Sequence, residues 1–309
     1  MKCHLKIIVL CLLLGSFCSQ ALAIIPDRTY RLYPERLGLI YKDLHATTPD
    51  GLKIKTWFFP AQNKPAETAS NSAGANPVKK AYRLIDDKKR PTIIICNGDA
   101  GNMSYQQLIF AQAFTCKGYN VVTFDWRGFG KSSEWTMNTD YLAYTELLTD
   151  YDAVIRQVLQ QKEVDTSKIA VFGWSTGAYL SMAASAKYEN IKCFVGIGLM
   201  TSFEEVLPIL NNLPKNKNIN RTLIAPADYP KNLQPIYLAP IYKKSSLLIV
   251  GELDDRAPVW MSEKIYKVLP SKKELWIVKG AGHTIGNESP GNWDLLSRKI
   301  VSFLDKHMR

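Results

Sequence analysis

The sequence predicts an α/β protein, a mostly parallel β-sheet covered by helices on both faces. Two patterns point there. Short runs such as residues 92–96 and 247–251 are apolar almost throughout rather than at alternate positions, as strands buried on both faces must be. Stretches with apolar residues at helical spacing separate them, and this alternation is the signature of parallel strands joined by helical crossovers. Composition agrees. A chain of 309 residues, 46% hydrophobic and 22% charged, belongs to the globular class and excludes a collagen-like repeat, a disordered tail or a polytopic membrane protein. Its formal net charge of +11 is compatible with nucleic acid, an acidic surface, anionic substrates or no partner of that kind.

Taken in order, residues 1–6 are short and basic, residues 7–14 form an unbroken apolar run, and residues 15–20 are mostly small and polar. Ala21-Leu22-Ala23 then places small side chains where a signal peptidase reads them. The three-part pattern is that of a secretory signal peptide over residues 1–23, cleaved after Ala23. The apolar run is well short of the roughly 20 residues that span a bilayer, so no integral membrane segment is expected after cleavage. The expected location is secreted or periplasmic. Taking 23 residues from 309 leaves 286, and the loss of Lys2 and Lys6 lowers the charge from +11 to +9. Cys3, Cys11 and Cys18 leave with the leader. Of the remaining Cys96, Cys116 and Cys193, an odd number, at least one is free unless it pairs between chains. No Cys-x-x-Cys and no His/Cys cluster is present, so no metal site is expected.

Residues 24–309 read as one domain. Residues 40–46 and 52–60, joined across Pro49-Asp50-Gly51, form a hairpin. Residues 62–90, rich in Ala, Asn, Ser, Pro and Lys, form an exposed insertion that carries Lys79-Lys80 and Lys88-Lys89-Arg90. The strand–helix rhythm follows: a strand at 92–96, a helix at 105–116, a strand at 120–125 and a helix at 142–161. That helix sets Leu147, Tyr151, Val154, Ile155 and Val158 on one face. A strand at 168–172 then runs through a turn into a small-residue helix at 178–187. Strands at 193–199, 247–251 and 274–278 and an amphipathic helix at 293–306 complete the chain. Residues 201–244 break the rhythm. Their six prolines recur too often for one long helix, so short helices passing over the sheet are expected there.

Gly173-Trp174-Ser175-Thr176-Gly177 is Gly-x-Ser-x-Gly, placed between a strand and a helix as a nucleophile elbow requires. A serine hydroxyl needs a base. His4 leaves with the leader, His45 lies in the hairpin and His307 sits near the terminus, which leaves His283 in Gly280-Ala281-Gly282-His283-Thr284. An acid should orient that imidazole and stabilise its cation. Asp254 fits best, after the strand at 247–250, with Asp255 and Glu252 as the alternatives in the same loop. Acyl transfer also requires donors for the tetrahedral oxyanion. The backbone N–H groups of Asp99, in Asn97-Gly98-Asp99, and of Thr176, after the nucleophile, are the expected pair.

With these segments and Asp125-Trp126-Arg127-Gly128-Phe129-Gly130, the sequence resembles the α/β-hydrolase superfamily over nearly all of residues 24–309. It is most similar to the small-lidded group that includes acyl-protein thioesterases and serine aminopeptidase-like hydrolases. One departure is Asn97, where many relatives have His before the glycine. The resemblance implies an eight-stranded, mostly parallel sheet, a small helical lid over residues 201–244, a structural role for the turn at 125–130, and the triad Ser175, Asp254, His283. It implies a serine hydrolase acting on a carboxylic ester or thioester, needing no cofactor, with a small-molecule or lipid-like acyl substrate.

Other readings fit less well. Gly130-Lys131-Ser132 ends like a phosphate loop, but Asp125 stands where its first glycine belongs; Gly280-Ala281-Gly282 opens like a dinucleotide fingerprint, but Ile285 occupies its third glycine. A peptidase or aminopeptidase of the same fold needs acids to pair the substrate amine, and residues 201–244 hold Glu204, Glu205 and Asp228 against six Lys and Arg. A non-catalytic binding protein of this fold would be expected to lack a triad member, and all three are present. Nucleic-acid binding would need aromatics interleaved with a basic stripe, which the lysine runs lack.

Overall fold

Eight strands form one sheet: β1 (Lys42–Thr47), β2 (Lys53–Phe59), β3 (Arg90–Cys96), β4 (Asn120–Phe124), β5 (Val164–Trp174), β6 (Ile191–Ile197), β7 (Ser245–Gly251) and β8 (Lys273–Val278). Their spatial order is β1-β2-β4-β3-β5-β6-β7-β8. The β1–β2 and β2–β4 pairs are antiparallel and the rest parallel. This is the eight-stranded, mostly parallel sheet that the resemblance implies. The computed structural model of the chain describes residues 24–64, 82–218, 220–286 and 292–308.

The helices are α1 (Gln106–Thr115), α2 (Glu146–Leu159), α3 (Thr176–Ser185), α4 (Phe203–Asn212), α5 (Pro214–Asn218), α6 (Pro235–Leu238), α7 (Val259–Val268) and α8 (Asn292–Met308). Successive side chains of a strand face opposite ways, so a continuously apolar strand feeds two cores at once. Ile93 and Ile95 of β3 pack in a cluster with Phe110 and Phe114 of α1 and Ile300 and Phe303 of α8. Ile94 and Cys96 of the same strand join Val154 and Val158 of α2, Leu180 of α3 and Ile265 of α7 on the other face. Cys96 and Cys193 are buried, Cys116 is half-buried, and all three are free thiols.

The helix expected over residues 142–161 begins four residues later. The Leu142 N–H is taken by the Ile224 carbonyl (3.0 Å), and Ile224 in turn donates to the Asp140 carbonyl (2.9 Å). That cross-link draws residues 140–142 out of helical geometry, while Leu147, Tyr151, Val154, Ile155 and Val158 bury the expected face. In the segment expected to be an exposed insertion, Gln62–Asn63 pairs antiparallel with Arg83–Leu84; residues 65–81 lie outside the described residues. Residues 201–244 carry α4, α5 and α6 with 3-10 turns at Lys231–Leu233 and Ala239–Ile241. Ser202 caps α4 by accepting the Glu205 N–H (3.3 Å). Among the described residues no helix is long and apolar enough to cross a membrane.

The turn after β4 is held by charge. Arg127, 1% exposed, donates from Nε to Asp150 Oδ1 (2.8 Å) and from its backbone N–H to Oδ2 (2.9 Å), and from Nη1 to Asp50 Oδ2 (2.8 Å). Burial pushes the Asp150 carboxyl up to about 6, with the Arg127 hydrogen bonds and charge opposing that rise. Removing one member of a buried ion pair leaves the other uncompensated and costs about 3–5 kcal/mol. Arg127→Ala is therefore expected to lower the thermal unfolding midpoint by about 10 °C, measured by circular dichroism; a shift below about 2 °C would show that the ion pair does not hold the turn.

Candidate active site

Ser175 stands between the last residue of β5 and the first of α3, with φ 53° and ψ −125°. A side chain at this φ/ψ is strained, at a cost of about 1–3 kcal/mol, and persists only where its surroundings over-determine it. Here they do. The Ser175 N–H donates to the Ile197 carbonyl (2.8 Å), and its carbonyl accepts the N–H groups of Ala178 (2.9 Å) and Tyr179 (3.1 Å). The two motif glycines supply clearance. A Cβ on Gly173 would fall 2.3 Å from the Gly177 carbonyl oxygen, and one on Gly177 would fall 2.1 Å from that of Asn97. The glycines thus let strand, helix and the loop after β3 converge on one serine.

His283 and Asp254 form a buried pair. The imidazole Nδ1 lies 2.9 Å from both carboxylate oxygens. Asp254 is fixed in turn, because its Oδ1 accepts the backbone N–H groups of Arg256 and Ala257, both at 2.9 Å. The other two acids of the loop are occupied differently: Glu252 accepts the Gly280 N–H (2.8 Å), and Asp255 is exposed. His283 is tied to the serine segment through its carbonyl, which accepts Trp174 Nε1–H at 3.2 Å. His45 is exposed on β1, and the ring of His307 rests against Phe303 (4.6 Å). The structure therefore pairs His283 with Asp254, ties that pair to the residue before Ser175, and leaves the other described histidines apart.

The loop after β3 abuts the serine. A Cβ on Gly98 would lie 3.4 Å from the Trp174 carbonyl oxygen and 3.9 Å from Ser175 Cβ. Asp99 follows Gly98, and Thr176, 2% exposed, opens α3, where backbone N–H groups have no helical partner. Asn97 braces the loop from inside, its Nδ2 donating to the Ala100 carbonyl (2.8 Å). Burial raises the Asp99 carboxyl above the usual carboxylate range, with the charges of Arg256 and His283 opposing. Among the described residues, no cluster of three or more His, Cys, Asp or Glu is arranged to hold a metal.

Sequence reasoning missed Gly198. It follows β6 with φ +60°, and a Cβ there would sit 3.0 Å from His283 Cε1, 3.3 Å from Nδ1 and 3.4 Å from Asp254 Oδ2. Its only local signal is Gly196-Ile197-Gly198 at a strand end, which cannot tell a turn glycine from one that shields an imidazole.

A strained serine at a strand end, a buried His–Asp pair and an abutting loop, all at one edge of this sheet, define an α/β-hydrolase of the serine hydrolase class. The family model of the prolyl oligopeptidases, peptidase family S9, matches residues 106–309, and the chain belongs to that family. It is similar to the protein YfhR of Escherichia coli (strain K12), with 26% identity over 261 residues, 84% of this chain and 78% of that one. Among solved structures it is similar to the Pyrococcus furiosus esterase Pf2001, with a TM-score of 0.67 and 20% identity over 93% of this chain and 100% of that one. It is also similar to a puromycin-hydrolyzing peptidase of Mycobacterium tuberculosis, with a TM-score of 0.65 and 16% identity over 87% of this chain and 39% of that one. The family model thus adds a peptidase relationship to the superfamily that the motifs indicated.

Gly198→Ala tests the packing around the imidazole. The added methyl would press on the ring and must adopt a left-handed φ, which costs about 1–2 kcal/mol outside glycine. With the far-ultraviolet spectrum unchanged, kcat on a chromogenic short-chain ester is expected to fall at least about tenfold, since sub-ångström misplacement of a base is that costly. Unchanged kcat would show that the glycine has no part in holding His283.

Proposed function

We propose that this serine hydrolase cleaves a carboxylic ester or thioester through an acyl-enzyme on Ser175, and that it does so after export. Ser175 Oγ attacks the acyl carbonyl while His283 takes its proton, and the Asp254 carboxylate fixes the imidazole tautomer through Nδ1 and stabilises the imidazolium. The N–H groups of Asp99 and Thr176 bind the tetrahedral oxyanion. His283 passes its proton to the leaving group, which departs, and a water deprotonated by His283 releases the acid and regenerates the serine.

The observation that carries the ester reading is the state of the acids in residues 201–244. A peptidase that captures a substrate amine needs a carboxylate free to receive it, but Glu204 is paired with Lys231 (3.1 Å) and Glu205 with Lys264, which leaves the exposed Asp228 as the one acid of the segment open to an amine. A neutral acyl group needs no such partner. The reading is also supported by length, since the chain spans all of the P. furiosus esterase but little more than a third of the M. tuberculosis peptidase. The second reading, a peptidase, is favoured by the family model over residues 106–309.

A fluorophosphonate probe should label the purified protein, and Ser175→Ala should abolish labelling and lower ester turnover by about 10³-fold or more. Labelling that persists in the variant would remove Ser175 from its role, and an unlabelled wild type would favour a binding protein. Turnover of a short acyl ester against an aminoacyl amide, compared as kcat/KM, is expected to favour the ester; preference for the amide would establish the peptidase.

A further inference from the structure

The loop after β3, which bears the proposed oxyanion donor Asp99, is held by a buried carboxylate that no step of the proposed reaction uses. Asp125, 1% exposed, directly follows β4. Its Oδ1 accepts the backbone N–H of Met103 (2.7 Å), within that loop. Its Oδ2 accepts Tyr30 O–H (2.5 Å) and, more distantly, the Lys131 N–H (3.4 Å). One side chain thus joins three stretches of chain: residues 25–31, the loop at 97–105 and the turn that begins at Asp125.

The turn does not need that carboxylate in order to close. Backbone groups close it: the Phe129 N–H donates to the Trp126 carbonyl (2.9 Å), the Ser132 N–H to that of Phe129 (3.0 Å) and the Gly128 N–H to that of Ser133 (2.8 Å). The carboxylate gives its two shortest hydrogen bonds to other segments, and the turn leaves space for them. A Cβ on Gly130 would fall 1.8 Å from Asp125 Oδ2 and 2.7 Å from Tyr30 Cε1. Met103 is fully buried, so its N–H has no water to replace the carboxylate, and an unmade bond there would carry its full desolvation cost. The segment that supplies Tyr30 grips the same loop. The Ile25 N–H donates to the Asp99 carbonyl (2.7 Å), and Asn102 Nδ2 to the carbonyls of Asp27 (2.9 Å) and Thr29 (2.8 Å). Asp99 therefore lies between two fixed points, Gly98 against Ser175 and Met103 on Asp125.

We propose that Asp125 is a positioning residue for acyl transfer: by holding the Met103 N–H it sets the path of residues 98–104, and with it the direction in which the Asp99 N–H meets the oxyanion beside Ser175. This role rests on the serine hydrolase reading, with the Asp99 N–H as oxyanion donor. Such a donor acts where charge develops in the transition state. A loop set wrongly therefore costs turnover rather than substrate binding.

The test compares the wild type with Asp125→Ala, which removes the acceptor, and Asp125→Asn, which keeps a neutral oxygen for the Met103 N–H. Asp125→Ala is expected to lower kcat on a short-chain ester at least about tenfold, with KM changed by less than about twofold. Asp125→Asn should fall between the two, about threefold below the wild type, because a charged acceptor binds an N–H roughly twice as strongly as a neutral one. A trifluoromethyl ketone reads the oxyanion site directly, since Ser175 Oγ adds to its carbonyl, His283 takes the proton and the oxygen becomes the bound anion. It should bind Asp125→Ala at least about tenfold more weakly. Hydrogen exchange across residues 98–104, read by mass spectrometry, should be at least about fivefold faster in Asp125→Ala. Unchanged exchange overturns the proposal even if no ester is cleaved. Faster exchange with unchanged kcat and ketone affinity also overturns it, because the carboxylate would then serve only the fold. A loss of kcat/KM that lies wholly in KM does the same. Should Asp125→Ala not fold, Asp125→Asn decides alone, and wild-type exchange and kcat in that variant refute the role. A wild type that cleaves esters while the variants match it keeps the hydrolase reading and loses the role of Asp125; a wild type that no serine probe labels loses both.

Discussion

The strained backbone of Ser175 is the constraint around which the rest of the molecule is arranged. At φ 53° and ψ −125° the residue cannot hold its shape through local preference, so neighbouring elements must enforce it. The ladder between β5 and β6 supplies the Ile197 carbonyl, α3 supplies the first-turn donors, and Gly177 allows the Asn97 carbonyl to approach the helix. Each of these elements is anchored in one of the two cores that flank the sheet. The stability of the cores is thus partly spent on one unfavourable residue, which lifts a hydroxyl clear of the strand end.

The surroundings of the serine follow from the same parallel topology. Loops after β3, β5, β6, β7 and β8 all leave the sheet at one edge, because parallel strands share a carboxyl end. That edge gathers Gly98 and Asp99, Ser175, Gly198, Asp254 and His283 from segments spread over 186 positions of sequence, from 98 to 283. Burial then sharpens their chemistry. The His283–Asp254 pair is withdrawn from solvent, with two backbone N–H groups from residues 256 and 257 satisfying the carboxylate. Such fixed dipoles hold a charge without having to reorganise as the reaction proceeds.

What could be read from the sequence was what depends on local pattern. The continuous apolar strands, the elbow between a strand and a helix, and the position of His283 after a late strand are all visible within a few residues. Asp254 could be ranked above Asp255 and Glu252 but not separated from them, since neighbours in one turn differ only in which way they point. The late start of α2 was hidden because it depends on Ile224, which lies some 80 positions away. Gly198 was hidden for a related reason: its methyl-sized gap has meaning only against an imidazole contributed by another loop. The parallel ladder of Ile25–Pro26 on Ala100–Gly101, which with the Asn102 hydrogen bonds to Asp27 and Thr29 clamps the start of the described chain onto the loop after β3, carries no motif, and only the folded register reveals it.

The clamp also bears on the choice of host. Asn102-Met103-Ser104 is an N-glycosylation sequon, and a eukaryotic secretory pathway attaches its glycan while the chain is still emerging. The nitrogen that would carry the sugar is the Nδ2 that donates to the Asp27 and Thr29 carbonyls, and its side chain has no route to solvent at 1% exposure. A chain glycosylated there could not close residues 25–29 over the loop. The same gene would then yield a competent hydrolase from a compartment without oligosaccharyl transfer and a misassembled one from the endoplasmic reticulum.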